Sequence, residues 1–340
     1  MKKPLLSAFF IYAISISAFG GGDLELVNTQ EIELDNIIDV KILYSSEKVS
    51  VFMGTANTLI IKEYMNEDNN KYFAKINKSG NTVTIENGQR PFRPILNLFN
   101  RRLEVYLPVS YGNMTLIRTS SGNIDTSDLL SSGITIESSS GKITVKSITA
   151  DDINIKTSSG GIDIDVVSGK VSVESSSGRI DIKQAKGVLT SRNSSGSIHG
   201  ENIQGDTNLY TSSGGIVFGK IIGNVSAESS SGNIKLNAVT GSVNAKTTSG
   251  GIDCTVDESA GNVTLNTTSG GVKLFLPVNL NFSFSSRTLS GRLTTPFSGS
   301  LSNPVSDRSL TQGVIGGNNS ENIPSVNIRT NSGFIRVEWT

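Results

Sequence analysis

The chain has 340 residues, and its thirty Lys and Arg balance thirty Asp and Glu; loss of Lys2 and Lys3 with a cleaved leader leaves 28 against 30, a net charge of −2 without the electrostatic drive for nucleic-acid binding. A single cysteine, Cys254, and a single histidine, His199, exclude an internal disulfide framework, a multi-cysteine zinc site and every two-histidine metal or catalytic motif. Counting glycine and omitting tyrosine raises the apolar share from 36% to about 45%, the globular norm, so disorder throughout is excluded.

In chain order the first element is a leader. Met1-Lys2-Lys3 precedes an apolar run from Leu5 to Phe19, and Ala18-Phe19-Gly20 supplies small residues three and one positions before a cut after Gly20. Residues 1–20 therefore read as a secretory signal peptide. The competing reading is an uncleaved anchor, but the run is shorter than the roughly 20 residues of a spanning helix. Beyond it no apolar run approaches that length, so no transmembrane segment is expected in the mature chain. The expected location is outside the cytoplasm, in the periplasm or at the cell surface.

Residues 21–112 hold short strand patterns such as VKILYSSEKVSVFMG, TLIIKEYM, KYFAKI and NTVTIENG. They are expected to form an irregular N-terminal β cap continuous with the C-terminal repeats, because an open end of a stack presents unpaired backbone groups. Within them the segment from Arg90 to Arg102 combines four arginines with apolar bulk. It reads either as an insertion that buries Phe92, Ile95, Leu96 and Phe99 and leaves its arginines solvated, or as a contact site. In the second reading Arg93, Phe99, Arg101 and Arg102 would meet an anionic surface or an acidic partner.

From residue 113 to 340 the chain repeats. A Ser-Gly-x-Ile unit recurs at Gly122, Gly141, Gly160, Gly178, Gly196, Gly214, Gly232, Gly250, Gly270, Gly291 and Gly333, eighteen residues apart from Gly160 to Gly250, with a second punctuator halfway at Gly169, Gly187, Gly205, Gly223 and Gly241. Nine residues hold one strand and one tight turn and no helix. Two residues after successive glycines stand Ile124, Ile143, Ile162, Ile180, Ile198, Ile216, Ile234 and Ile252, and residues such as Asp163, Asp181 and Lys235 come directly after them. That alternation buries one face and wets the other. The expectation is an all-β parallel β-solenoid, or β-helix, of about 18 residues per coil with two strand-turn units per coil, its coils stacking in succession about 4.8 Å apart so that the isoleucines form a core ladder. Small inward pairs, Val225 with Ala227 and Val243 with Ala245, face them from the half-coil strands. A polar excursion at 297–325 interrupts the repeat before its final rung.

A hydroxyl tract precedes each main glycine. The pairs Ser121-Gly122, Ser140-Gly141, Ser159-Gly160, Ser177-Gly178, Ser195-Gly196, Ser213-Gly214, Ser231-Gly232 and Ser249-Gly250 are expected to form a turn ladder, the hydroxyls satisfying corner backbone groups and the glycines supplying unusual dihedral angles. A hydroxyl strip that binds sugars or ice is the functional alternative.

From about Leu103 to Trp339, on the segments LEVYLPVSYGNMTLIRTSSGNI, VKLFLPVNLNFSFSSRTLSGRL and VNIRTNSGFIRVEW, the chain resembles the bacterial exported β-strand-repeat family of putative adhesins. The resemblance implies a β-solenoid outside the cytoplasm, in a family without an assigned biochemical function, and it supplies no catalytic residues.

Other chemistry fits poorly. A calcium β-roll needs aspartate at every turn and six to eight oxygens per ion, whereas Asp125, Asp163, Asp181 and Asp253 occupy strand positions. Hydrolysis would need two carboxylates in a walled cleft, and the uniform coils from Gly160 to Gly250 leave no insertions to build one. His199 is expected at a solvent-facing strand position and Cys254 in the core. No catalytic residue, cofactor or metal is expected. The function read from this pattern is a non-enzymatic surface for binding or adhesion to a cell-envelope or surface ligand. The alternatives are an envelope scaffold that self-associates through its ends and, less favoured, a carbohydrate-active β-helix enzyme.

Overall fold

The structure, a computed structural model, describes residues 24–34, 39–91, 99–108, 111–297, 302–306, 310–316 and 323–340. The expected leader, together with Phe92, Arg93, Ile95 and Leu96, lies outside them. The described residues form strands and one short 3-10 turn, Asn70–Tyr72. They divide into two compact units, 1–151 and 152–340.

The second unit is a parallel β-solenoid. One sheet stacks the first half of Ile162–Ser175 on Ile180–Lys186, Ile198–Gln204, Ile216–Ile222, Ile234–Val239, Ile252–Val256 and Val272–Leu276. Ile162, Ile180, Ile198, Ile216, Ile234, Ile252 and Val272 pair in unbroken register. All seven are buried, each stabilising the fold by about 1.5–3 kcal/mol. The second sheet stacks Val171 to Ser175 on Leu189–Asn193, Thr207–Thr211, Val225–Ser229, Val243–Thr247 and Val263–Thr267. Its inward residues include the small Ser191, Ala227 and Ala245, all fully buried, which leave room for the isoleucines opposite. Volume is traded within a ladder as well. Phe218 pairs with Gly200 on the neighbouring rung, and a Cβ on Gly200 would run into the phenyl ring.

The expectation that coils stack in chain order fails at the C-terminal end. Ser325–Thr330 and Ile335–Trp339 lie between the coil of residues 263–276 and that of 282–294. Val272 thus pairs with Ile335, which pairs with Leu293, and Val263 pairs with Val326, which pairs with Phe284. The final coil is thereby bonded on both sides. The edge passes to Phe282–Thr288, which Leu310–Ile315 covers in antiparallel fashion, with Ser302–Ser306 antiparallel beyond it. Covering the edge removes a template for pairing with another chain. Phe282, Phe284, Phe297 and Trp339 pack together at this end, with ring centroids 5.1–6.4 Å apart.

The first unit repeats the device. Lys48–Met53 lies between Arg101–Leu107 and Ile124–Ser127, and Asp39–Leu43 lies between Thr82–Glu86 and Met114–Thr119, so an early coil is again enclosed by later ones. Antiparallel strands finish both faces: Thr58–Met65 and then Glu25–Glu33 on one, Lys75–Ser79 on the other.

Within this unit the expected solvation of the arginines is corrected at Arg101. Its side chain is fully buried, with Nη2 2.7 Å from the equally buried Glu47 and Nη1 2.5 Å from the Tyr72 carbonyl. The guanidinium lies over the rings of Tyr44 and Phe99. Burial pushes the Glu47 carboxyl up, but Arg101, the Ser46 N–H and Arg90 outweigh it and hold the group below its ordinary range. A buried carboxylate needs such a partner, and that need draws Arg101 inward. Phe99 is also buried, against Tyr72. Arg102 is half-buried over the Tyr64 ring with Nη2 3.3 Å from Glu104. Of the expected contact residues, Phe99 and Arg101 are therefore interior groups.

A candidate ligand-binding face

The hydroxyl ladder of the corners is displaced from the expected serine. The residue that enters the corner stands three before each main glycine: Ser175, Asn193, Thr211, Ser229, Thr247 and Thr267, all buried. Thr247 shows the pattern: its Oγ1 accepts from Gly250 N–H at 3.2 Å and donates to the Gly232 carbonyl of the adjoining rung at 3.1 Å. Ser229 and Thr267 repeat both bonds. The serines directly before the glycines, Ser159, Ser177, Ser195, Ser213, Ser231 and Ser249, are exposed, and from Ser177 onward their N–H groups bond to the neighbouring rung. The reason is geometric: only the earlier residue has the inward parity of its strand. The main glycines need space more than special dihedral angles, because a Cβ on Gly178, Gly232 or Gly250 would strike the carbonyl of the glycine on the next rung. The halfway glycines differ, with φ of +108° at Gly187 and +142° at Gly223, a region open chiefly to glycine.

One residue further back, the chain points outward. Four positions before the main glycines stand Lys156, Glu174, Arg192, Tyr210, Glu228 and Lys246, and from Glu174 onward they pair rung to rung. With the corner residues Ser176, Ser194, Ser212, Ser230 and Thr248 they line a trough of about 590 Å³. Lys156 lies 3.3 Å from Glu174, and the Arg192 guanidinium lies over the Tyr210 ring at 5.0 Å. Among the described residues Arg192, Glu228 and Lys246 make no ion pair, so their charged groups stay open to solvent. A second trough of about 400 Å³ runs along the other end of the same strands, lined by Asn208, Asn224, Ser226, Asn244 and Asn262 among others. Its corner amides satisfy one another: Asp206 Oδ1 accepts from Asn224, and Asn224 Oδ1 accepts from Ser242 N–H.

Residue type alone does not single out the charged ladder in the sequence. Its signal is positional, a fixed offset from each glycine, while the residue changes at every rung and so forms no run of identical side chains.

The opposite outer face is more self-contained. Asp163 and Asp181 are neighbours in register, Asp181 accepts from Arg179 at 2.8 Å and His199 Nδ1 lies 3.3 Å from it. Lys183 is 2.7 Å from Asp165. Cys254 is fully buried, and that burial pushes its thiol up to about 12, away from the reactive thiolate. Among the described residues no group of three or more His, Cys, Asp and Glu is arranged to hold a metal ion, and no helix is long and apolar enough to cross a membrane.

Comparison with solved structures finds similarity to a "putative cell adhesion protein" from Clostridium sporogenes, at 10% identity over 92% of this chain and 98% of that one, with a TM-score of 0.21. Two "putative adhesins" are also similar. The protein from Parabacteroides merdae is 13% identical over 75% of this chain and 97% of its own, TM-score 0.33; that from Parabacteroides distasonis is 13% identical over 94% and 98%, TM-score 0.31. No curated protein matches. The model of one family, Toastrack DUF4097, matches residues 30–218 and again 169–338. Together these matches span most of the chain, which belongs to the Toastrack DUF4097 family.

Proposed function

We propose that this chain is an exported, non-enzymatic solenoid that presents the outer face of its second unit for binding or adhesion at the bacterial cell surface. The observation that carries the reading is the trough from Lys156 to Thr248, where hydroxyl side chains recur rung after rung beside a ladder of charged residues and Tyr210, while the backbone beneath is consumed by the sheet. Such a surface is built for repeated contacts with one long partner, and repetition multiplies weak contacts into useful avidity. Export is supported by the leader pattern of residues 1–20. A binding role without turnover is supported by the open face around Asp163 and Asp181, where Asp181 is engaged by Arg179 and water has free access.

Intact cells treated with a protease that cannot cross membranes test this reading. Loss of the full-length protein from intact cells is expected. Survival until the outer membrane is permeabilised would place the protein in the periplasm and end the surface-adhesion reading.

A further inference from the structure

We infer that the trough over the Lys156 to Lys246 ladder is a binding site for an extended β-linked polysaccharide lying along the solenoid axis, one sugar ring per rung. The inference rests on the binding role proposed above and gives it a substrate class and residues.

Spacing favours such a ligand over a peptide. Rungs repeat about every 4.8 Å, whereas an extended peptide presents side chains to one side every 6.6 Å or so. A peptide lying along the axis would fall out of step within a few rungs, and pairing across the axis is closed because the strand backbones already bond to their neighbours. The rise per ring of an extended β-1,4-linked glycan is close to one rung and successive rings are turned over about the chain axis, so the same contact can recur at every second rung. A coiled α-linked glycan has no such match.

The lining favours a sugar as well. Tyr210 stands in mid-trough with one face of its ring under the Arg192 guanidinium and Glu228 on the next rung. A flat aromatic beside charge-bearing donors and acceptors suits a sugar, whose ring has an apolar C–H face and hydroxyls around its rim. Arg192 and Lys246 supply donors, Glu228 an acceptor, and the exposed Ser194 and Ser212 both. The mixed charge also disfavours a polyanion, which would meet Glu174 and Glu228.

Calorimetric titration of the intact chain tests the assignment, with β-1,4-linked hexamers of glucose and of N-acetylglucosamine as probes, and with an α-1,4-linked glucose hexamer and an acidic hexapeptide beside them. A six-ring probe matches the six rungs from Lys156 to Lys246. Saturable binding of at least one β-linked hexamer is expected, with neither comparator bound. Tyr210→Ala and, independently, the exposed Arg192→Gln should each weaken it about tenfold, while Lys183→Gln on the opposite face leaves it unchanged. Unchanged affinity in Arg192→Gln and in a natively folded Tyr210→Ala would overturn the site. Binding of the peptide, or of neither β-linked hexamer, would overturn the ligand class. The protease test on intact cells reports on the adhesion role independently, so failure of one is distinguishable from failure of the other.

Discussion

Thr247 and Ser249 stand two residues apart in one hydroxyl tract and do different work. Thr247 is buried, with one bond to the Gly250 N–H and one to the Gly232 carbonyl; Ser249 is exposed. Thr247→Val should cost about 1–3 kcal/mol because it strands a buried donor and acceptor. Ser249→Ala should stay within about 0.5 kcal/mol. Urea denaturation of the two variants checks the difference, and equal costs would move the ladder back to the serine beside the glycine. Glu63 gives a second test, this time of pH dependence. Burial pushes its carboxyl above the ordinary 4.5, and bonds from the Ala74 N–H and the Asn28 amide, with the charge of Arg101, only partly offset it. The folded chain therefore holds this proton at pH values where the unfolded chain has lost it. Stability should fall as pH rises from 4.5 through the raised value. Glu63→Gln should abolish that decline in the urea midpoint, and an identical pH profile in the variant would show that Glu63 contributes nothing.

At the scale of elements, much of the solenoid is legible in the sequence because its order is periodic. Ile162 through Ile252 recur at intervals of eighteen residues or close to it, and their inward parity follows from alternation alone. Stacking order is not legible, because Val272 pairs with Ile335 across 63 residues and nothing local distinguishes a last rung from one enclosed by its neighbours. The burial of Arg101 is hidden for a related reason: its partner Glu47 is 54 residues away, so the sequence shows only a charge of the kind that is ordinarily solvated. The trough is hidden because its ladder keeps a position and changes its residue. Enclosure of the final coil carries a prediction for hydrogen exchange. Amides of Val326, Ile328, Ile335 and Val337 should exchange as slowly as those of Val263 and Leu274 in the adjoining coil. Rapid exchange, as from a fraying terminus, would contradict the enclosed position.

For the whole molecule, the outermost strands decide whether chains meet end to end. In the first unit Glu25–Glu33 and Lys75–Ser79 run antiparallel to the strands they cover, and in the second Leu310–Ile315 and Ser302–Ser306 do the same. The rungs beneath these strands are already bonded on the covered side and offer less of a template to another copy. Sedimentation at micromolar concentration should report a monomer, and filaments would favour the scaffold role over surface binding. Above all, the chain should bind envelope material through its repetitive face. Co-sedimentation of the purified chain with an isolated cell-envelope fraction over a range of chain concentrations measures that binding without intermediaries. Saturable recovery in the pellet is expected, lowered by Tyr210→Ala and by Arg192→Gln; a chain that stays in the supernatant at every concentration would contradict a binding role for the ladder.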